Sequence, residues 1–357
     1  MSDSSTQALP KIHQVWSVLP TNRREASWWR GLGLFLLNAG LWCALFTLAL
    51  QAESFWFKAL WATLTGTVTG MLFLIGHDAS HDSLTPHAGV NQMLATLAFL
   101  PSLHSRTNWD IGHNRLHHSW TNLRPYDDGY PPLSWAEWQA MSRPRQWLQR
   151  FFYTLPGIGF YYMTTVWWRY LMRIHPERRQ YMKSVWPYYL DMVCMMVFVL
   201  LQIGLIARYG QWQGQGSGWA LAEYGLLMVW AFIVWNWNMA FVTIMNHTHP
   251  KIRWFDDRHE WSFFEAQVRG TTHIKIIWPI GPLFQNIFVH AAHHVDKHIP
   301  LYRLTESQQC LQAAYPGQMI VEQGGPLYLH RILQQCQLYD YRHHRWLRFD
   351  GSPSTMG

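Results

Sequence analysis

The chain contains four long stretches without charged residues, separated by polar segments. These stretches cover residues 31–50, 59–76, 192–207 and 224–245. As α-helices rising about 1.5 Å per residue, each is long enough, or nearly so, to cross a hydrocarbon core of about 30 Å. A buried helix of a large soluble core would explain any one of them. Four together predict an all-α polytopic membrane protein with four transmembrane helices.

The segments between these stretches predict how the chain is divided. Residues 90–103 are apolar, but they are too short to span and are interrupted by Pro101, so we predict an interfacial or re-entrant segment. We expect an N-terminal segment at 1–30, a membrane domain with a helical cap at 31–304, and a C-terminal extension at 305–357.

Composition and charge predict the orientation. Hydrophobic residues make up 49% of the 357 positions and charged residues only 14%. The arginines concentrate in residues 105–183, whereas the connectors between paired spans are short and nearly neutral. The positive-inside rule therefore places the N-terminus, this middle segment and the region after the fourth span in the cytoplasm. The N-terminus lacks the features of a secretory signal, and the four cysteines form no CxxC pair, so we expect neither cleavage nor a zinc ribbon.

Three clusters of histidine carry the candidate chemistry: His77 and His81; His113, His117 and His118; His290, His293 and His294. The i, i+3 and i+4 spacing of the third cluster lies on one helix face, and such rings can point into one shared metal volume. If the second span starts near residue 59, the first cluster emerges roughly 27 Å along the helix, at the cytoplasmic surface. The other clusters follow on that side, so we expect all three to meet there.

Eight or more imidazoles at one site predict two metal ions. Neutral histidine binds iron, zinc, copper and nickel, and one zinc ion needs only three or four ligands. The Glu-x-x-His pair of soluble carboxylate-bridged di-iron bundles does not occur in the sequence. We therefore predict a histidine-rich dimetal centre, with iron as the preferred metal, in a cap beside an apolar interior. Such a site suits oxidation of a lipid chain.

With four spans around them, these histidine boxes resemble those of the membrane fatty acid desaturase superfamily. Three further segments resemble its acyl-lipid branch: NHTHP at 246–250, EWSFFEAQVRGTTH at 260–273 and HHVDKHIPLYRL at 293–304. The resemblance covers residues 31–304. It implies a non-haem di-iron centre held by the box histidines, with O2 as co-substrate. It also implies a further ligand after the fourth span, at the position of His247, for which His249 is the local rival.

Some features depart from that pattern. Three residues separate the first two histidines of the second box, which leaves open which histidine would hold which metal. The third box begins with His290 rather than glutamine, which argues against front-end desaturases. The haem motif HPGG does not occur, so we expect a separate electron donor, of ferredoxin or cytochrome b5 type, on the cytoplasmic face. A pI near 9.3 favours an acidic donor, although positive-inside topology and anionic lipid explain that charge equally well.

Other side chains are candidates for supporting roles. Metal-bound histidine usually donates its second N–H to a carboxylate or carbonyl, and Asp78 and Asp128 are the preferred carboxylates here. Trp109, Trp120 and Trp261 are candidates for the mouth of an acyl tunnel. The expected partners are a fatty acid or acyl lipid, the electron donor and membrane lipid, but no nucleic acid.

Three functional classes are compatible with these features. The leading one is O2-dependent oxidation of a fatty acyl chain, with desaturation by two external electrons as the expected outcome. The same scaffold can instead support hydroxylation, acetylenic or terminal desaturation, or decarboxylation to a 1-alkene; a carotenoid hydroxylase is less favoured. A membrane metal transporter would place ionisable ligands near the midplane of the spans, unlike these boxes. A structural membrane protein leaves the boxes unexplained.

Overall fold

The computed structural model describes residues 9–354 except 128 and 217. Four helices are long and apolar enough to cross a membrane: Trp28–Gln51, Phe55–Ser80, Trp186–Trp212 and Trp219–His247. Each contains one of the predicted stretches, so the prediction of a mostly helical polytopic membrane protein is confirmed. The shortest has 24 residues, or about 36 Å at 1.5 Å per residue, which exceeds the hydrocarbon thickness.

The helices occur in the following order along the chain: α1 (Ile12–Ser17), α2 (Trp28–Gln51), α3 (Phe55–Ser80), α4 (Ala88–Phe99), α5 (Arg106–Trp109), α6 (Trp135–Ala140), α7 (Arg143–Phe152), α8 (Gly157–Tyr161), α9 (Pro176–Arg179), α10 (Trp186–Trp212), α11 (Trp219–Tyr224), α12 (Trp230–His247), α13 (Ile280–Leu283), α14 (His290–Val295), α15 (Leu304–Ala314) and α16 (Pro326–Gln335). Wider π-helical segments cover Asp110–His117, Tyr162–Met172, Gly225–Val229 and Phe264–Arg269, and short 3-10 turns cover Leu100–Ser102 and Leu301–Arg303. The segment Gly225–Val229 joins α11 to α12, so these form one continuous span.

The four spanning helices differ in how much of their surface the protein covers. In the most apolar window of each helix, 67% of α3 and 56% of the α11–α12 span are buried, against 28% of α2 and 22% of α10. Helices α3 and α12 therefore form the centre of the bundle, and α2 and α10 present most of their surface to the surroundings. Apolar side chains exposed on α10, such as Leu200 and Leu205, fit contact with lipid.

Two glycines let the central helices approach closely. A Cβ on Gly66 would lie 2.4 Å from the carbonyl oxygen of Ala231, and one on Gly70 would lie 3.3 Å from the end of Met239. Small residues four positions apart are the usual means of bringing two membrane helices together. Because α3 and α12 both end at the same end of the bundle, this contact also brings their last turns together.

The short elements gather at that end of the bundle. Asp191, in the first turns of α10, accepts hydrogen bonds from the Ser105 hydroxyl (2.9 Å) and the Thr107 backbone N–H (2.8 Å). At the opposite end, Lys58 of α3 forms an ion pair with Glu223 of α11. The elements between α3 and α10 and those after α12 are thus attached to one end of the spans, where the histidine boxes also lie.

Residues 90–103 form most of α4 and the turn that follows it. The ring of Phe99 packs where a Cβ of Gly76 would come within 2.7 Å of it, so α4 lies directly against α3. Met93 and Leu97 are exposed on the other side. A helix of 12 residues is too short to span, and its interfacial or re-entrant placement stays a prediction.

Five short strands were not predicted: β1 (Leu133–Ser134), β2 (Thr272–Lys275), β3 (Ile320–Gln323), β4 (Leu338–Asp340) and β5 (Arg345–Leu347). Strand β1 pairs parallel to β4, which pairs antiparallel to β5, and β2 pairs parallel to β3. Strands of two to four residues are too short to show an alternating pattern in the sequence. Through β3 and β4, the segment 305–357 is paired with the preceding region, and the domain boundaries stay a prediction.

Candidate metal centre

Nine histidines from four separate parts of the chain meet at one end of the bundle. They form two groups, within each of which the candidate ligand nitrogens all lie within 4.8 Å of one another. The five-histidine group contains His77, His81, His113, His118 and His293, and the four-histidine group contains His117, His247, His290 and His294. Each group can hold a metal ion. These are the nine histidines named from the sequence.

The first and third boxes use α-helical spacing in different ways. His77 and His81, one turn apart at the end of α3, both belong to the five-histidine group. On α14, His290 and His294 join the four-histidine group, whereas His293 joins the other. The expectation that i, i+3 and i+4 share one volume is therefore wrong. At 3.6 residues per turn, the i+3 and i+4 positions diverge by about 100°, which is enough to point into two adjacent sites.

The second box lies on the π-helical segment Asp110–His117. The backbone N–H of His118 donates to the carbonyl of His113 at 3.0 Å, a hydrogen bond across five residues. His113 and His118 belong to the five-histidine group and His117 to the four-histidine group. π-Helical turns are rare and occur frequently at functional sites. This geometry divides the second box between the two groups, and which histidine would hold which metal ion stays a prediction.

His247 and His249 lie in different surroundings. The Nε2 atom of His247 lies 2.7 Å from Nε2 of His290, within the four-histidine group. His249 faces away: its Nε2 lies 3.3 Å from the Glu322 carboxylate, and its Nδ1 accepts the backbone N–H of Lys251 at 3.1 Å. Of the two rivals, only His247 can share a metal ion with the boxes.

A buried carboxylate orients His117. The Nδ1–H of His117 donates to Asp127 at 2.7 Å, and Asp127 also accepts the backbone N–H groups of Asn122 (2.7 Å) and Gly129 (2.8 Å). Asp127 is therefore held by the loop that follows the second box. Such partners fix the ring and leave Nε2 free to bind a metal.

Asp127 is not one of the two carboxylates preferred from the sequence. The preferred Asp78 accepts the backbone N–H of Leu301 at 3.4 Å. It thereby ties the end of α3 to the segment after the third box. Asp128 lies outside the described residues.

His290 and His294 have neutral partners. The Nδ1 of His294 lies 2.8 Å from Oε1 of Gln267 and 3.1 Å from the hydroxyl of Thr121. Nδ1 of His290 lies 3.1 Å from the carbonyl of Ile287. Sequence reasoning did not identify Gln267 or Thr121. The signals were present, since Gln267 lies in the segment EWSFFEAQVRGTTH and Thr121 one helical turn after His117.

Burial keeps these imidazoles in the form that binds metals. It lowers the pKa of six of them well below the ordinary value of histidine, with a further contribution from neighbouring histidines: His81, His113, His118, His290, His293 and His294. Within the described part of the chain, Nε2 of His81, His293 and His294 has no hydrogen-bond partner. Such a buried polar atom costs about 1–3 kcal/mol, which a metal ion would offset. The donors therefore fit metal ions.

An apolar cavity reaches the histidines from one side. Its walls include Met239, Val242 and Ile287, and it ends on histidines of both groups, among them His77 and His247. Trp109 lines it and stacks on the ring of His113, with 4.2 Å between centroids. This supports the interpretation of Trp109 as a residue of an acyl tunnel.

A depression lined by charged, polar and apolar side chains, the polar depression, reaches the histidines from another side. Its lining contains His118 and His294, whereas the lining of the cavity contains neither. Trp261 lines this depression and donates its indole N–H to the carbonyl of Thr121 at 2.9 Å, and Trp120 packs against Trp261. Neither Trp120 nor Trp261 is in the described lining of the apolar cavity, and their place at the mouth of an acyl tunnel stays a prediction. In the chain, Trp120 follows the second of the four histidine-bearing segments and Trp261 follows the third, which contains His247.

Two groups of buried histidines at one end of four membrane-capable helices, next to an apolar cavity, define a membrane protein with paired candidate metal sites. A family model described as fatty acid desaturase matches residues 53–322. The chain therefore belongs to the fatty acid desaturase family, whose members are oxidoreductases, as its boxes predicted.

Curated relatives extend this likeness over most of the chain. An sn-1 acyl-lipid omega-3 desaturase (ferredoxin) of Synechocystis sp. is 26% identical over 86% of this chain and 82% of its own length. An sn-1 oleoyl-lipid 12-desaturase of the same organism is 28% identical over 78% and 75%, and one of Picosynechococcus sp. is 25% identical over 93% and 91%. Resemblance to the acyl-lipid branch and desaturase function are thereby confirmed.

Proposed function

We propose that this desaturase uses a di-iron centre, with the nine histidines as ligands, to introduce a double bond into the acyl chain of a membrane lipid. The observation that carries the proposal is the apolar cavity that ends on histidines of both groups. A saturated chain lying in it would bring adjacent CH2 groups to the place where two metal ions can bind.

The reaction defines what the protein must supply. A –CH2–CH2– unit, O2, two electrons and two protons give –CH=CH– and two molecules of water. Iron, when bound to these imidazoles, supplies the activation of O2 needed to break an unactivated C–H bond. The side chains hold the acyl chain against the histidines and exclude water, for which Val242, Met239 and Ile287 provide the apolar walls.

The relatives support the class of substrate and donor. Two of them are described as oleoyl-lipid desaturases and one as a ferredoxin-dependent acyl-lipid desaturase. An acyl lipid and an external one-electron carrier are accordingly the proposed partners. The Arg-rich segments at the histidine-bearing end support a cytoplasmic location of that end.

One observation favours a second outcome on the same scaffold. Arg178 lines the apolar cavity, and its guanidinium packs so closely on Gly112 that a Cβ there would lie 2.5 Å from it. Its Nη1 donates to the backbone carbonyl of Tyr170 at 2.8 Å. Burial lowers the pKa of Arg178 to about 10, so the group remains a cation at neutral pH. The positive charge beside the residue that precedes His113 would attract a carboxylate toward the metal centre. A free fatty acid held there would react near its carboxyl end, as 1-alkene formation requires.

The decisive experiment is a lipid and headspace profile by gas chromatography of cells fed saturated fatty acids and, separately, oleic acid. Cells that contain the protein are compared with cells that contain the His294→Ala variant. New internal double bonds in membrane lipids support the proposal, and a volatile 1-alkene one carbon shorter than the acid supports the second outcome. If an electron donor is co-expressed and neither product appears, the proposed function is wrong.

A further inference from the structure

We propose that the polar depression is the docking surface of an acidic one-electron carrier protein. This inference rests on the proposed function, which requires two external electrons for each turnover. The depression is bordered by the N-terminal segment on one side and by the end of the third box on the other, and it reaches His118 and His294. Each histidine group is therefore approached through one of its own members.

The N-terminal border of the depression is held by contacts with the segment that follows the third box. The indole N–H of Trp16 in α1 donates to the carbonyl of Val295 at 2.8 Å. The backbone N–H of Ser27 donates to the hydroxyl of Tyr302 at 2.7 Å. The N-terminal segment thus forms one wall of a built surface beside the metal centre.

The charge of this surface selects the partner. Its lining contains three cations and two further histidines: Lys11, Arg24, Lys297, His13 and His298. Among the described lining residues the one acid is Asp296, which is 3% exposed and is paired with Arg23 (2.8 Å) and Arg24 (2.7 Å). The surface is therefore positive, and an acidic protein would be attracted to it and oriented by it.

A short route leads from the surface to the centre. Trp261, in the lining, donates to the backbone carbonyl of Thr121 at 2.9 Å, and the Thr121 hydroxyl lies 3.1 Å from Nδ1 of His294. One residue, Thr121, therefore connects the half-buried aromatic ring of Trp261 with a histidine of the four-histidine group. This places the point of electron entry at Trp261 and His294.

The lining also disfavours the acyl chain as the occupant. Lys11, Arg24 and Lys297 would have to be desolvated to accommodate a hydrocarbon, whereas Arg178 is the one cation in the described lining of the apolar cavity. The two openings therefore suit different partners, a lipid chain in the cavity and a charged protein over the depression.

The test uses the full-length, iron-loaded protein in nanodiscs of zwitterionic lipid, with a plant-type [2Fe–2S] ferredoxin and its reductase as the probe. Lys11→Glu changes the charge of the border by two units at an exposed position at the start of α1, where an acidic residue is tolerated. We expect the KM for ferredoxin to rise about tenfold at low salt, with kcat unchanged. Adding His13→Glu should raise it further. Arg342→Glu, in the exposed turn between β4 and β5, is the matched control and should leave the KM unchanged.

A second measurement separates this proposal from the proposed function. Single-turnover product formation by chemically reduced enzyme needs no carrier, so it should be equal in the wild type, Lys11→Glu and Arg342→Glu. Product without any effect of Lys11→Glu on KM, or an equal effect of Arg342→Glu, overturns the docking surface alone. Loss of anionic-vesicle binding in Lys11→Glu with an unchanged KM would assign the surface to lipid headgroups instead. Absence of product in every variant overturns the proposed function.

Discussion

The two openings that reach the histidines differ in the charge of their linings. The cavity is walled by apolar side chains such as Val242 and Met239, whereas the depression is bordered by Lys11 and Lys297. They approach different histidines, since His118 and His294 line only the depression. The difference indicates that two partners can reach one centre by separate routes, a hydrocarbon chain through the cavity and a charged partner at the depression. Variants that affect one side and spare the other test this separation.

The largest effect is expected where both sides meet. His294→Ala removes a ring that lines the depression and belongs to the four-histidine group. Product should fall below detection, a larger loss than the 10- to 100-fold typical of an outer partner, while membrane insertion persists. Gas chromatography and iron content measure this. His249→Ala, outside both groups, should retain activity within about threefold; equal loss in both variants would contradict the assignment of ligands.

A smaller loss of activity is expected when a residue that orients one of the candidate ligands is changed. Asp127→Asn weakens the hold on His117 without removing a candidate ligand. Iron affinity should fall about 10- to 100-fold, as is typical for such partners, and excess iron should restore most of the activity. Iron titration followed by turnover measures both. Asp340→Asn, which affects a surface contact with His343, is the control, and the same loss of affinity there would contradict the role of Asp127.

A change in the wall of the apolar cavity should alter the selectivity for acyl-chain length. Val242→Phe narrows the cavity, and one misfitted methylene is worth about 1–3 kcal/mol in such pockets. Turnover should shift about tenfold from longer to shorter acyl chains, with unchanged iron content and unchanged KM for the electron carrier. Competition between acyl chains of different length measures the shift. Val197→Phe, on the exposed surface of α10, is the control and should leave the chain-length selectivity unaltered. A changed KM for the electron carrier in Val242→Phe would contradict the separate roles of the cavity and the depression.

The smallest effect on turnover is expected from a substitution in the polar depression. Trp261→Phe keeps the aromatic ring but removes the hydrogen bond to Thr121, which is worth about 1 kcal/mol. Carrier-supported turnover should fall about three- to fivefold, while single turnover of chemically reduced enzyme and chain-length selectivity stay constant. Stopped-flow reduction by ferredoxin measures the change. A shift in chain-length selectivity would mean that Trp261 belongs to the substrate side after all.

The sequence predicted what depends on residue type and spacing. Four uncharged stretches predicted the four spanning helices. The boxes predicted eight of the nine histidines that the structure brings together, and the family resemblance predicted the ninth, His247. The distribution of rings between two groups could not be predicted, because it depends on the π-helical geometry of Asp110–His117 and on the direction of each ring. The contact of Asp127 with His117 depends on a loop conformation that spacing does not encode. The short strands depend on pairing between distant segments.

The interleaving of the histidine boxes has a consequence for assembly. The second and third boxes each contribute to both groups, through His113 and His117 on one element and His290 and His293 on the other. An ion bound to either group would therefore immobilise the same two segments that complete the other group. The entropy of ordering them is lost only once, with the first ion. We expect uptake of two ions to be positively cooperative, so that a half-loaded protein is scarce and the centre is gained or lost as a unit.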